Sequence, residues 1–410
     1  MFFFVGKPQQ RSVGGERISS KQEEKCTTYY YYYYHTTNKY KNVLFSLFLS
    51  YYSHNESILC TLCIASAYQH LTKTFDYREN NKQADMARSV FSCMRRRNNV
   101  LLVGRTATGA NVTGRSKHTV SILNENPRSD PDALFHLGLS SDMDLKEMFG
   151  DVKFFCTGGS AKRIKLFAEK LADALPGYVP FGSSPVPIGS TDRYEMYKVG
   201  PVLMVNHGMG IPSTSILLHE VSKLLAHAQA EDPVFIRLGT SGGIGVEPGS
   251  VVLSTEGVNG LLKSEYTLPV LGKLVTRPTN LDESVRNDIA NAQKGTEQED
   301  WIMTGKTMAT DCFYEGQGRL DGAICEYEEN DKMTFLKEAY DCGVRNFEME
   351  STVFAAFTQK LNIRAAVCCV TLLDRMHGDQ HPHTHEQLEA WDERPGDVIV
   401  RYIQKSLGVL

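Results

Sequence analysis

From about residue 116 to residue 410 the sequence predicts one α/β domain, with a mixed, mostly parallel sheet and helices on both faces. Three observations lead there. Short apolar runs alternate with stretches of helical period. Several of those runs end in glycine-rich turns. Hydrophobic residues make up 41% of the chain and charged residues 22%, enough apolar material for a sizeable core.

The elements follow in order. Val152–Thr157 (VKFFCT) predicts a strand that runs into Gly158-Gly159-Ser160. A helix comes next, with apolar Ile164, Phe167, Ala168 and Leu171 at the spacing of one helical face. Val202–Asn206 predicts a second strand, and a helix follows around Ile216–Leu225. Val234–Leu238 predicts a strand ending at Gly239-Thr240-Ser241-Gly242-Gly243, with Val251–Ser254 as its continuation after a turn at Pro248-Gly249. Phe347–Leu361 is expected to be helical, Arg364–Leu372 a buried strand, and Glu386 to about Leu407 a helix despite Pro395.

Residues 1 to about 115 are different material. Of 44 basic and 48 acidic residues in the chain, the first hundred hold 14 and 7, so the rest carries 30 against 41. This segment includes MFFFV, six consecutive tyrosines (Tyr29 to Tyr34) and Arg95-Arg96-Arg97, with no sustained period. Composition of this kind packs poorly. It predicts a disordered extension, or non-native translation ahead of a true start such as Met86. The apolar run 43–52 is too short to span a bilayer and too far in for a standard signal peptide. The net charge of −4 argues against a nucleic-acid coat. No nucleic acid or membrane partner is expected, and a cytoplasmic location is. The matches to the glycosylation pattern at Asn55 and Asn111 are then fortuitous. Among ten cysteines, adjacent Cys368 and Cys369 lie in an apolar run where thiols act as small hydrophobes. Cys60 and Cys63 form a lone CxxC without a second pair at zinc spacing.

Four stretches carry chemistry. Gly158-Gly159-Ser160-Ala161-Lys162-Arg163 outlines an anion site, because free N–H groups at a helix start favour phosphate and Arg163 can add a bidentate contact. A tight turn followed by a solvated arginine explains the same residues. Arg237 falls inside an apolar strand, where a guanidinium needs partners, and Thr240 sits at the carboxyl end, where open α/β sheets bind ligands. Pairing of Arg237 with a structural carboxylate is the plainer alternative. In Asn346–Ser351 (NFEMES), acidic residues answer a helix dipole or accept protons from sugar hydroxyls, with the Met349 thioether packed under the ring. In 313–322 (FYEGQGRLDG), Gln317 and Arg319 are two apart, which on an extended segment places them on one side. An amide beside a guanidinium suits a small flat molecule with carbonyl oxygens and a ring N–H; a surface turn is the ordinary reading.

Residues from about 120 to 410 resemble the uridine phosphorylases of the nucleoside phosphorylase-I family, animal type. The resemblance rests on FHLGL (135–139), 150–165, 189–216, FIRLGTSGGIGVEPG (235–249), 311–323, 343–357 and VCCVTLLDR (367–375). It implies a three-layer α/β/α sandwich around the mixed sheet. It also implies reversible phosphorolysis of uridine to uracil and ribose 1-phosphate, through an oxocarbenium-like transition state. Gly159, Arg163, Arg237 and Thr240 then correspond to a phosphate site, with Arg193 from a partner subunit. Glu350, Met349 and Arg237 correspond to a ribose site, with the neighbour's copy of His136 at the 5′-hydroxyl. Gln317, Arg319 and Phe313 correspond to a uracil site, Phe313 stacking on the base. Arg319, Gln317, Arg237 and Glu350 carry the chemistry. Inorganic phosphate is a co-substrate, no cofactor or metal is expected, and a homodimer is the smallest competent unit.

Some positions depart from that pattern. Asp374 stands where many uridine-specific relatives have Asn, and purine-cleaving cousins use an Asp in this region to protonate the base. Tyr194 follows Arg193 where bacterial relatives with an intersubunit cation have Glu, so no cation site is carried over. The His-rich segment 375–387 suggests a metal site or, as favoured here, a lid with exposed histidines. The rival readings are a purine nucleoside phosphorylase and a pyrimidine-binding protein without catalysis. A dinucleotide dehydrogenase is excluded, since no GxGxxG follows the first strand.

Overall fold

The computed structural model describes residues 119–124, 126, 130–179, 184–189 and 191–410. The expectations for 1–115, with the CxxC, the glycosylation matches and Met86, lie outside the described residues.

The described chain begins with a short antiparallel pair, β1 (Ala133–Leu134) and β2 (Leu139–Ser140), whose connecting turn carries Phe135 and His136. A brief helix α1 (Leu145–Phe149) follows, capped by Asp144. Strand β3 (Phe154–Gly158) then leads into α2 (Ala161–Ala174). The Ser160 side chain accepts the Arg163 N–H at 3.4 Å, satisfying a helix-start donor. Helix α2 buries Ile164, Phe167, Ala168 and Leu171, the predicted face. Strands β4 (Met196–Val199) and β5 (Val202–Asn206) precede α3 (Ile211–His227), which starts after Gly210 with proline in its first turn.

Strand β6 (Val234–Gly243) does not stop before the glycines as expected. It continues through Gly239–Gly243 because its neighbours go on pairing there, and Gly242 and Gly243 face Phe347 and Asn346. Strand β7 (Val251–Val258) is likewise not an extension of β6, since another strand lies between the two.

An exposed hairpin is formed by β8 (Glu265–Val270) and β9 (Lys273–Pro278), followed by α4 (Glu283–Ala292) and β10 (Ile302–Ala309). After α5 (Glu329–Asp341) comes β11 (Val344–Glu348), so Phe347 and Glu348 are extended rather than helical. Parallel pairing of this segment with β10 overrides its helical pattern. Helix α6 (Ser351–Lys360), strand β12 (Ala365–Asp374) and helix α7 (His385–Ser406) complete the domain. Pro395 sits within α7.

The eight-stranded sheet runs β11-β10-β7-β12-β6-β3-β5-β4, and β11 pairs with β6 as well. Strands β6, β12, β7, β10 and β11 therefore close on themselves like a small barrel. Alternate residues feed two cores. Phe154, Cys156, Ile236 and Cys368 face α2, α4 and α7; Phe155, Phe235, Val367 and Cys369 face α1, α3 and α6. The fold is thus a mixed sheet layered between helices, as the sequence predicts. Cys368 and Cys369 are buried free thiols on opposite faces.

Phe235 is fully buried and meets Phe155 edge to face, with ring centroids 4.7 Å apart. Truncating it leaves a cavity two residues from Arg237 on the same sheet face. Phe235→Ala is expected to lower unfolding free energy by about 3–5 kcal/mol. Urea denaturation followed by circular dichroism checks this.

Candidate active site

Arg237 is the centre of the site. It lies in the middle of β6, is 2% exposed, and points to the α3/α6 side of the sheet. Its NH2 group contacts both Glu348, at 2.8 Å, and Glu350, while NH1 reaches the Cys369 sulfur at 2.9 Å. Glycine at 239 leaves room for this, since a Cβ there would lie 2.8 Å from NH1. Burial raises the Cys369 thiol to about 11, so it meets the guanidinium as a neutral sulfur.

The two carboxylates sit where β11 gives way to α6. Glu350 occupies the N-cap position of α6 but does not cap it. Glu348 does so from two residues earlier, accepting the N–H of Glu350 and both the N–H and hydroxyl of Ser351 at 2.6–3.1 Å. Glu350 is thereby released to meet Arg237 and the Gly210 N–H at the start of α3. Gly210 has φ +84°, a conformation that glycine adopts without strain. Burial pushes the Glu348 carboxyl upward against the pull of Arg237, and the charge of Glu350 adds to the rise. Burial also works on Glu350, but Arg237, His207 and the Gly210 N–H hold it below the usual carboxylate range. One positive charge thus serves two carboxylates, and Glu350 is the one held ionised. Met349, half-buried, lies between them.

The glycine turn after β3 abuts this cluster. The His207 N–H donates to the Gly158 carbonyl at 2.8 Å, and a Cβ on Gly159 would lie 2.9 Å from the Gly208 carbonyl. His207 is buried, with Nδ1 at 3.3 Å from the Thr214 hydroxyl. Its Nε2 has no hydrogen-bond partner among the described residues. Burial, reinforced by Arg237, depresses the imidazole to about 3. Arg163 also acts on His207, but its Nε is drawn to Asp392 on α7 at 2.9 Å. Thr240 is half-buried in β6 opposite Val370.

Gln317 and Arg319 are not on an extended segment. Glu315–Gln317 form a 3-10 turn, and Gly318 at φ +62° reverses the chain before Arg319. The two side chains therefore reach different partners. Gln317 is buried with Nε2 3.4 Å from the Glu348 carbonyl, which hangs it from the strand end whose side chain holds Arg237. Arg319 donates Nε and NH2 to Asp321 at 2.9 and 2.8 Å and NH2 to the Asp379 carbonyl at 2.6 Å, which leaves NH1 for a ligand. The Phe313 ring, 42% exposed, has its centroid 4.5 Å from the Arg319 guanidinium carbon. A cavity of about 710 Å³ adjoins this loop, lined by Ile211, Thr310, Cys312, Gly316, Lys332 and Thr352 among others. Neither Arg237 nor Arg319 borders it.

His136 and Arg193 do not join the cluster around Arg237. His136 Nδ1 is 2.6 Å from Glu220, and Arg193 donates to the Ser213 hydroxyl at 3.3 Å. Several residues that complete the site escaped the sequence reading. Glu348 belongs to the acidic NFEMES stretch singled out in the sequence, but had no role of its own there. Arg375 is buried and donates to the Gln317 carbonyl at 2.9 Å. Asp379 binds Arg375 and Lys332 at 2.8–3.0 Å and accepts the Leu320 N–H at 2.8 Å. The segment 375–387 is therefore pinned at its start, while His377 and His385 are exposed as expected. No group of three metal-ligating side chains occurs among the described residues. Asp374 is occupied elsewhere: its oxygens accept the Gly245 and Met376 N–H groups at 2.9 and 3.0 Å and meet His377 Nδ1 at 2.9 Å.

A family model described as "Phosphorylase superfamily" matches residues 153–404. Mouse "Uridine phosphorylase 1" is 49% identical over 278 residues, 68% of this chain and 89% of the mouse protein. The chain belongs to the uridine phosphorylases of this superfamily. "Uridine and thymidine phosphorylase" of Caenorhabditis elegans is 48% identical over 279 residues, 68% of this chain and 92% of the nematode protein. Among solved structures, one from a study of two uridine phosphorylases of the oomycete Phytophthora capsici superposes with a TM-score of 0.66 at 48% identity. It covers 71% of this chain and 99% of the oomycete chain.

Protonating His207 costs folding stability, because its folded value lies far below the unfolded one. The unfolded chain binds the extra proton between about pH 6.5 and 3, so stability falls as pH drops through that window. The slope is about 1.4 kcal/mol per pH unit from this group. Unfolding free energies from urea titrations at pH 6.5 and 5 are expected to fall less in His207→Gln than in the parent, by about 2 kcal/mol.

Proposed function

We propose that this chain catalyses the reversible phosphorolysis of uridine to uracil and ribose 1-phosphate. The observation that carries this reading is the continuity of the site. Buried Arg237 bridges Glu348 and Glu350, and the carbonyl of the same Glu348 receives the Gln317 amide. An anion beside Arg237, a sugar on Glu350 and Met349, and a pyrimidine edge on Gln317 and Arg319 then form one line. The closely similar mouse and nematode proteins carry names of this activity.

In the reaction the C1′–N1 bond breaks with its electron pair going to the base, and a phosphate oxygen supplies the pair for the new C1′–O bond. The base takes up one proton, balanced by the one that hydrogenphosphate gives up on becoming the ribose 1-phosphate ester. As the bond stretches, the sugar gains positive character and the base oxygens gain negative charge. Glu350, ionised, accepts the ribose hydroxyls. Arg319 meets the growing charge on the base with NH1, its other nitrogens being fixed by Asp321 and Asp379. Gly159, Arg163, Arg237 and Thr240 hold the phosphate, which is already anionic and needs positioning more than activation. Phe313 stacks on the base. Arg193 and His136 serve the site of a second copy, which makes the working unit a homodimer. The reaction so written needs no cofactor beyond phosphate and no covalent enzyme intermediate. Among the described residues no helix is long and apolar enough to cross a membrane, and we place the protein in the cytoplasm.

A panel of uridine, thymidine and inosine, each with and without phosphate, tests the reading. Uridine is expected to react only with phosphate present, and turnover of inosine in place of uridine would overturn it. Arg319→Ala is expected to lower kcat by about 10²–10³; near-normal turnover would remove Arg319 from the chemistry. Asp374 holds the Gly245 turn rather than a base, so Asp374→Asn is expected to leave the uridine-to-inosine preference unchanged. Its cost is about 1 kcal/mol of stability in thermal unfolding.

A further inference from the structure

His136 stands in the β1–β2 turn with its side chain 34% exposed. Its imidazole is not left to rotate. Nδ1 lies 2.6 Å from Glu220 Oε1, and Glu220 Oε2 accepts the backbone N–H groups of His136 and Leu137 at 2.8 and 3.0 Å. The carboxylate is thus fixed by the backbone of the turn whose side chain it holds. A carboxylate only accepts, so Nδ1 carries the hydrogen and Nε2 is the ring nitrogen left for a ligand.

The same helix holds Arg193. Ser213 and Glu220 are both on α3, seven residues apart, which is two turns and therefore one face. Tyr194 ties the pieces together. Its hydroxyl donates to the Ser213 carbonyl at 2.8 Å, its ring centroid is 6.4 Å from that of His136, and Arg193 lies 5.7 Å from it. Thr191 donates to the His136 carbonyl at 2.8 Å. The two side chains destined for a neighbouring site are mounted on one platform.

We propose that Glu220 is a positioning residue: it fixes the His136 imidazole so that Nε2 is presented to the 5′-hydroxyl of the nucleoside bound by a second copy of the chain. This rests on the reading of His136 given above and adds to it the residue that orients the ring. A purely structural Glu220, one that only closes the 135–137 turn, would affect every substrate alike. A positioning role acts only on substrates that have the hydroxyl.

The test compares uridine with 5′-deoxyuridine on the full chain carrying Glu220→Gln. The amide keeps an acceptor for the turn and loses the carboxylate that orders the ring. Expected is a fall of about tenfold in kcat/KM for uridine, with no more than twofold for 5′-deoxyuridine. Equal losses on both substrates, or no loss on uridine, overturns the proposal. His136→Ala separates the two levels of failure. A 5′-dependent loss in H136A without one in E220Q overturns the positioning role alone. No 5′-dependent loss in H136A overturns the assignment of His136 and the positioning role with it. If E220Q does not fold, Glu220→Asp, which withdraws the charge by one methylene, carries the same comparison.

Discussion

The cluster formed by Glu348, Glu350 and the start of α3 is arranged around one buried positive charge, that of Arg237. A guanidinium taken out of water is tolerable only if its donors are met, and removing a partner from such a group costs about 3–5 kcal/mol. At NH1 and NH2 Arg237 is met by two carboxylates from one strand end and by a sulfur from the adjacent strand, while its Nε has no hydrogen-bond partner among the described residues. That need fixes the rest. Glu348 must lie at the end of β11, so it doubles as the cap of α6. Glu350 is freed from capping, and the start of α3 must come close enough for Gly210 to donate to it. Two helix starts, the end of β11 and the middles of β6 and β12 are thereby brought to one point, with the glycine turn after β3 packed on His207 beside them.

The loop that carries Gln317 and Arg319 is held by a second set of charges. Asp379 sits between Lys332 and Arg375, and burial of its carboxyl is outweighed by the Leu320 N–H and the two cations, which hold it below the usual range. Arg375 in turn grips the Gln317 backbone. The loop is therefore anchored from α5 and from the segment after β12, independently of Arg237. The two networks meet at Glu348, whose side chain belongs to one and whose carbonyl belongs to the other.

Much of this was legible in the sequence, and the reasons differ by residue. Arg237 announced itself because a charge in VFIRL demands partners, and Gly159 because a strand ending in glycine before a helix is a recurrent arrangement. The predicted face of α2 is the buried one, since a single amphipathic period decided it. The errors arose where tertiary pairing overrides local pattern. Residues 239–243 have the composition of a loop, yet pair on both sides within the sheet. Phe347 and Glu348 continue a helical pattern, yet β10 draws them into a strand. Gln317 and Arg319 were expected side by side, but Gly318 in a left-handed conformation turns them apart. The contacts of Glu220 with His136, of Asp379 with Leu320 and of Arg375 with Gln317 span 84, 59 and 58 residues, a distance over which spacing carries no signal.

The ring of five strands has a mechanical consequence. Because β11 is bonded directly to β6 at Asn346–Gly243 and Phe347–Gly242, the separation between the guanidinium on one and the acids on the other is set by backbone ladder geometry. Side chains in the surrounding layers can repack without changing that gauge. A scaffold of this kind tolerates drift in its helices while keeping ångström-scale registry at the one place where a loosened grip would cost it its substrate.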